Sequence, residues 1–105
     1  MVIKNGHVID PKTELDGIYD IELQNGLITK IGNITVEDTD TIDASGFVIA
    51  PGLIDVHVHF RDPGFTYKED IYTGAKAAAK GGFTTVICMA NTKPAVDNAE
   101  TLSNI

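Results

Sequence analysis

Seven consecutive residues constrain this chain more than any others. In Ile54-Asp55-Val56-His57-Val58-His59-Phe60 apolar and ionisable side chains alternate without exception. A period of two is that of a β-strand, with Asp55, His57 and His59 on one face and Ile54, Val56, Val58 and Phe60 on the other. One face can pack while the other is left for chemistry. Residues two apart on a strand have Cα atoms about 6.5–7 Å apart, and two imidazoles on one face can converge on a metal about 2.0–2.1 Å from each nitrogen. Taken alone, His-x-His is more often a pair of satisfied polar residues than a chelate. Three ionisable groups on one face of an otherwise apolar strand alter that balance, because buried polar groups are costly unless something satisfies them. A metal or a substrate would do so.

The residues after this strand predict a parallel α/β arrangement. The strand is expected over Leu53 to Phe60, and the alanine-rich stretch Tyr67 to Lys80 reads as a helix. Thr66 is its expected N-cap, with Glu69 three residues on completing a capping box, and Gly81-Gly82 ends it. Phe83 to Met89 is a continuous apolar, β-branched run of the kind buried on both faces of a sheet. Ala90 to Val96 is a loop, and Asp97, with Glu100 three residues later, opens another helix. Strand, helix, strand, loop, helix start is the repeating unit of a parallel sheet or barrel.

The first fifty residues have a different character, with short strands separated by turn chemistry. Val2 to Lys4, a turn at Asn5-Gly6 and His7 to Ile9 read as one hairpin, closed by Asp10-Pro11. Ile18 to Leu23 alternates apolar Tyr19, Ile21 and Leu23 with Asp20 and Glu22. Asn25-Gly26, the strongest short hairpin signal, then returns the chain along Leu27 to Ile31. Residues 33 to 41 are polar and irregular, strands resume at Thr41 to Asp43 and Phe47 to Ala50, and Pro51-Gly52 punctuates the chain. Two regions are therefore expected, 1–50 and 51–105.

Arg61, the only arginine in the chain, stands where the histidine strand should emerge into the loop Asp62-Pro63-Gly64. Its planar guanidinium suits a carboxylate gripped bidentately, and a salt bridge to Asp62 or Glu69 is the alternative. Asn91 lies two residues past the neighbouring strand. Active sites form from loops at the carboxyl ends of parallel strands, so the two could hold one polar ligand between them; for Asn91 alone, capping of its own loop is an equal reading. His7 reads as an exposed strand residue, Asp55 as a support for the histidines, Lys93 as a loop charge and Asp97 as an N-cap.

Charge narrows the partners. The 15 acidic and 8 basic side chains give a net charge of −7, which opposes contact with phosphates and argues against nucleic acid and anionic membranes. Nine of the acids fall in residues 1–50 against three lysines. Cys88, the single cysteine, lies in the apolar run Thr85 to Met89 and is expected to be a buried strand thiol, which suits a reducing cytoplasm. Met1 to Ile3 is followed at once by Lys4-Asn5-Gly6, so the start carries no signal-peptide pattern and a cytoplasmic location is expected.

The run from Pro51 to Gly64 resembles the metal-binding signature of the amidohydrolase superfamily, specifically cyclic amidohydrolases of the dihydroorotase type. The likeness continues through Tyr67-Lys68-Glu69-Asp70, Thr73-Gly74, Lys76-Ala77-Ala78, Gly81 to Val86 and Met89-Ala90-Asn91-Thr92-Lys93-Pro94. In the first half, Asn5-Gly6, the Gly26 turn and Asp43-Ala44-Ser45-Gly46 look like the small β-domain such enzymes carry. Asp62 departs from the pattern, where glutamate is expected.

This resemblance implies an α/β chain made of the N-terminal part of a small β-sandwich domain and the first two β/α units of a TIM-barrel metal-dependent hydrolase. It implies that His57 and His59 are ligands of a zinc site of one or two ions, and that Arg61 and Asn91 bind a substrate carboxylate. The implied reaction is the reversible hydrolysis of L-dihydroorotate to N-carbamoyl-L-aspartate in pyrimidine synthesis. Allantoinase-like and dihydropyrimidinase-like enzymes share the His-x-His but act on substrates without that carboxylate. The implied partners are the small-molecule substrate, a second copy of the chain, or another enzyme of the pathway.

A catalytic zinc usually has three protein ligands and a (β/α)₈ barrel about 250 residues, against three histidines and 105 residues here. The catalytic base and remaining ligands are therefore expected beyond Ile105, and residues 1–105 alone are expected to be inactive. A non-catalytic interaction module is the reading from a different class; it leaves the histidines, Arg61 and Asn91 without a chemical reason.

Overall fold

Asn25 and Gly26 have φ of 51° and 76°, the positive values that a two-residue hairpin turn demands of both central positions. In the computed structural model, which describes residues 1–35 and 40–105, this turn joins β2 (Leu15–Gln24) to β3 (Leu27–Gly32). Gln24 pairs with Leu27 directly across it. The chain divides into two units, Met1–Pro51 and Gly52–Ile105.

Among the described residues the first unit forms one mixed five-stranded sheet. Its long strands β1 (Val2–Asp10), β2 and β3 run antiparallel, while the short β4 (Thr41–Asp43) and β5 (Val48–Ile49) pair parallel to β1. Val2, Val8, Ile21, Ile34 and Ala44 form its buried apolar core. Of the irregular stretch expected over residues 33 to 41, residues 36–39 lie outside the described residues.

Asn5-Gly6 is not a turn. Val2 to Asp10 is one continuous strand, and between Ile3 and Gly6 it carries an extra residue relative to β2. The positive φ of Asn5, 60°, belongs to this β-bulge rather than to a hairpin. Asp20 faces the bulge and is 4% exposed. Its carboxylate accepts from Lys4 Nζ at 2.7 Å, from the Asn5 amide at 3.0 Å and from the Ile34 amide at 2.9 Å. Gly6 lets the Ile49 side chain lie over the strand, since a Cβ at residue 6 would stand 2.2 Å from Ile49 Cδ1 and make that side chain shift.

In the second unit β6 (Leu53–Val58) and β7 (Phe83–Cys88) pair parallel, with α1 (Ile71–Lys80) connecting them and α2 (Ala99–Ser103) following β7. This is the β/α repeat expected from sequence, preceded by a strand-rich unit. The helix starts later than Thr66, however. Asp70 is the N-cap, its side chain accepting from the Thr73 amide while the Thr73 hydroxyl accepts from the Asp70 amide. Thr66 cannot serve because its hydroxyl donates to Asp62 Oδ1 at 2.9 Å, and the chain makes a separate turn in which Lys68 N–H bonds Phe65 O. Likewise Asn98, not Asp97, caps α2, and Asp97 accepts from the Asn98 side chain.

α1 lies against Phe60, two residues past the end of β6, because residue 74 is glycine. A Cβ at Gly74 would stand 2.6 Å from the Phe60 ring. β6 is shorter than expected, ending at Val58, and β7 is not buried on both faces. Only Phe83 and Val86 of β7 are half-buried, and Cys88 is exposed, not a buried thiol. The elements packed on β7 among the described residues are β6 and α1, which leaves one face of the pair open.

Candidate metal and carboxylate site

The site residues gather at the carboxyl ends of β6 and β7. Between Asp55 and Val58 three steps along β6 match two along β7, so the regular alternation read from sequence is interrupted by a bulge at Val56-His57. A bulge takes a backbone amide out of the ladder. Here the His57 N–H is bonded by Asp55 Oδ1 at 2.9 Å. Asp55 thus holds the backbone of His57 in place.

Past the bulge the two imidazoles lie side by side. The His57 and His59 ring centroids are 5.1 Å apart in an edge-on arrangement with a 63° interplanar angle, and both residues are exposed. The pairing of the strands continues up to this point, since Met89 N–H bonds Val58 O at 2.9 Å. That bond places Asn91, two residues further on, beside His59. Asn91 Oδ1 is 3.1 Å from His59 Nδ1.

The loops beyond the two strands also meet. Lys93 N–H bonds Pro63 O at 3.1 Å, and Phe65 N–H bonds Arg61 O at 2.9 Å. Gly64, with φ of 87°, sits so close that a Cβ there would fall 1.9 Å from Lys93 O. The second loop is closed on itself, with Thr92 and Val96 amides both bonding Ala90 O and the Thr92 hydroxyl bonding Pro94 O. In the sequence Lys93 reads only as a loop charge and Gly64 has no role; the signal for the contact is the Pro-Gly pair directly after Arg61-Asp62.

Arg61 is half-buried. Among the described residues the ion pairs are Lys4–Asp20 and His7–Asp16, so the guanidinium is not spent on Asp62 or Glu69. Those carboxylates take hydroxyls instead, Asp62 from Thr66 and Glu69 from Thr73. His7 belongs to the first unit, its Nε2 2.6 Å from Asp16 Oδ1 on the neighbouring strand.

Two exposed imidazoles with adjacent rings fit two ligands of a metal ion. They do not complete a site, since no cluster of three or more His, Cys, Asp or Glu able to hold a metal occurs among the described residues. No described helix is long and apolar enough to cross a membrane.

A family model described as Dihydro-orotase-like matches residues 46–105. The chain is 61% identical over 107 residues to a dihydroorotase of Clostridioides difficile (strain 630) and 52% identical over 106 residues to one of Aquifex aeolicus (strain VF5), in each case across 100% of this chain and 25% of the relative. It thus spans about a quarter of the length of the curated relatives it matches. Among solved structures, L-hydantoinase (dihydropyrimidinase) from Arthrobacter aurescens superposes with a TM-score of 0.79 at 29% identity, covering 98% of this chain and 23% of that one. A D-hydantoinase gives 0.73 at 36% identity, covering 85% and 20%.

Proposed function

Because the chain belongs to the dihydro-orotase-like family, we propose that residues 1–105 are the opening part of a zinc-dependent dihydroorotase, which interconverts L-dihydroorotate and N-carbamoyl-L-aspartate in pyrimidine synthesis in the cytoplasm. Residues 1–50 belong to its small β-domain and 51–105 begin its barrel. The observation that carries this reading is the position of Asn91 beside His59, with Arg61 on the adjoining loop and in no ion pair among the described residues. It supports a reading in which Arg61 and Asn91 bind a carboxylate beside imidazoles that hold a metal.

His57 and His59 would hold the ion, with further ligands from the remainder of the protein. Bound there, zinc supplies an acidified water and polarises an amide carbonyl. The side chains of this segment do the positioning. Arg61 offers a bidentate fork to the carboxylate, the Asn91 amide donates a further bond, and together they fix the scissile amide in register with the histidines. Such orientation removes much of the entropic barrier. Asp55 keeps His57 from drifting by holding its amide. The proton-transfer group lies outside residues 1–105, and the partners are the small-molecule substrate and, in the assembled enzyme, a second copy or a pathway enzyme.

The hydantoinase likeness makes a cyclic amide without a carboxylate the competing substrate class. In the full-length protein, Arg61→Met should raise KM for dihydroorotate at least about tenfold and leave turnover of dihydrouracil, which lacks the carboxylate, within about threefold. Equal effects on both would remove Arg61 from carboxylate recognition. Faster turnover of dihydrouracil by the unmodified enzyme would move the protein to the hydantoinase type.

A further inference from the structure

We infer that Asn91 is a positioning residue for His59 as well as a carboxylate donor, so that one amide joins the metal ligand to the substrate subsite. An amide oxygen can only accept. At 3.1 Å from Asn91 Oδ1, His59 Nδ1 is therefore the nitrogen that carries the proton, and Nε2 keeps its lone pair for a metal. A ring nitrogen bonded to a carbonyl is the usual way a metal-binding histidine has its tautomer and orientation fixed.

The arrangement is built rather than incidental. The Met89–Val58 backbone bond and the Lys93–Pro63 backbone bond bracket the contact on both sides, and Ala90 O, the carbonyl immediately before Asn91, accepts from both Thr92 and Val96 amides. Among the described residues the Asn91 side-chain nitrogen makes no bond. Once the oxygen is committed to His59, the NH₂ faces away from the ring with both hydrogens available to an anion. Binding of a carboxylate to that NH₂ orders the same side chain that orients His59, so carboxylate and metal each tighten the binding of the other, by equal factors.

The inference rests on the reading of His57 and His59 as metal ligands, and its test separates the two. In the full-length protein, zinc affinity is measured by chelator competition with and without N-carbamoyl-L-aspartate, and the His59 tautomer by ¹⁵N shifts of the ring nitrogens in the zinc-free protein. Asn91→Ala should weaken zinc binding about 10–100-fold, reduce the mutual tightening and lose the Nδ1–H tautomer. Asn91→Asp keeps an acceptor for Nδ1–H but replaces the donor with a negative charge. It should hold zinc within about threefold of the unmodified protein, or tighter, while N-carbamoyl-L-aspartate binding falls at least about tenfold. Because the Asp variant is isosteric, it reads out the inference even where the Ala variant does not fold. Zinc affinity unchanged in Asn91→Ala, a proton on Nε2 in the unmodified protein, or parallel loss of zinc and carboxylate in Asn91→Asp would each overturn it. Loss of zinc binding in Asn91→Ala alongside an Arg61→Met variant with unchanged KM would instead leave the positioning of His59 by Asn91 standing and sink the dihydroorotate reading.

Discussion

Gly64 and Lys93 meet backbone to backbone, with the place of a Cβ at residue 64 only 1.9 Å from the Lys93 carbonyl oxygen. The contact ties the loop carrying Arg61 to the loop carrying Asn91. Gly64→Ala must therefore separate the loops, and it also forces an L-residue to a φ of 87°. Strain of this kind costs about 1–3 kcal/mol. In the full-length protein the expected outcome is a KM for dihydroorotate raised about tenfold or more, with kcat changed less, since displaced binding groups lose position before chemistry. Steady-state kinetics with a melting curve checks this, and unchanged KM in a destabilised variant would confine Gly64 to stability.

Asp55 supplies the acceptor for the His57 amide inside the β6 bulge. Asp55→Ala leaves that amide to solvent and should cost about 0.5–1.5 kcal/mol, whereas Asp55→Asn retains an acceptor oxygen and should cost less. If the bulge sets the direction of the His57 ring, zinc affinity follows the same order, unmodified above Asn above Ala. Chelator competition on the three proteins, with hydrogen exchange of the His57 amide, decides it; an alanine variant that binds zinc as tightly as the unmodified protein would leave Asp55 without a part in the site.

The parts of the fold that are legible in the sequence are those whose signal is local. Asn25-Gly26 can be read because the turn itself demands positive φ at both residues. The same dipeptide at Asn5-Gly6 misleads, since its conformation is set by Asp20 across the sheet and by Ile49 over the missing Cβ. The Thr66-Glu69 spacing points to the wrong cap for α1, because Thr66 is taken by a bond to Asp62 that no spacing rule contains and Asp70 caps instead. An apolar run suggests a buried β7, but burial depends on neighbours, and here these are β6 and α1. His57 and His59 can be paired from their spacing alone. The contact of His59 with Asn91 spans 32 positions and becomes visible only with the register of β6 on β7.

Asp20 makes the first unit sensitive to acid. Bonds from Lys4 and from the Asn5 and Ile34 amides hold its carboxyl at about 2, below the ordinary 3.8. The folded form thus prefers the ionised carboxylate, so this stabilisation is complete above the unfolded value, near pH 4, and is lost as the pH falls through the folded value towards 2. About 2 kcal/mol is at stake. Asp10 and Asp43, also lowered by their hydrogen bonds, act in the same direction. Urea unfolding of the unmodified protein from pH 6 to pH 2 should show a fall that Asp20→Asn, already weaker at pH 6, largely lacks. Parallel pH profiles for the two would remove Asp20 as its source.

Phe60 comes directly after His59 and its ring occupies the space over Gly74, 2.6 Å from where a Cβ would be. Two effects oppose each other in Gly74→Ala. Alanine gains about 1 kcal/mol of helix propensity, but the stiff Phe60 ring lies over residue 74, and overpacking costs about 1–3 kcal/mol. Clash should win, lowering the melting temperature of the full-length protein and pushing Phe60, with the adjoining His59, away from α1. Phe60→Leu in the same chain removes the clashing ring atoms and should recover part of the loss, giving a coupling of about 0.5–3 kcal/mol in a double-mutant cycle. Additive effects of the two substitutions would mean that α1 and the Phe60 ring do not touch at this point, and that the position of His59 owes nothing to Gly74.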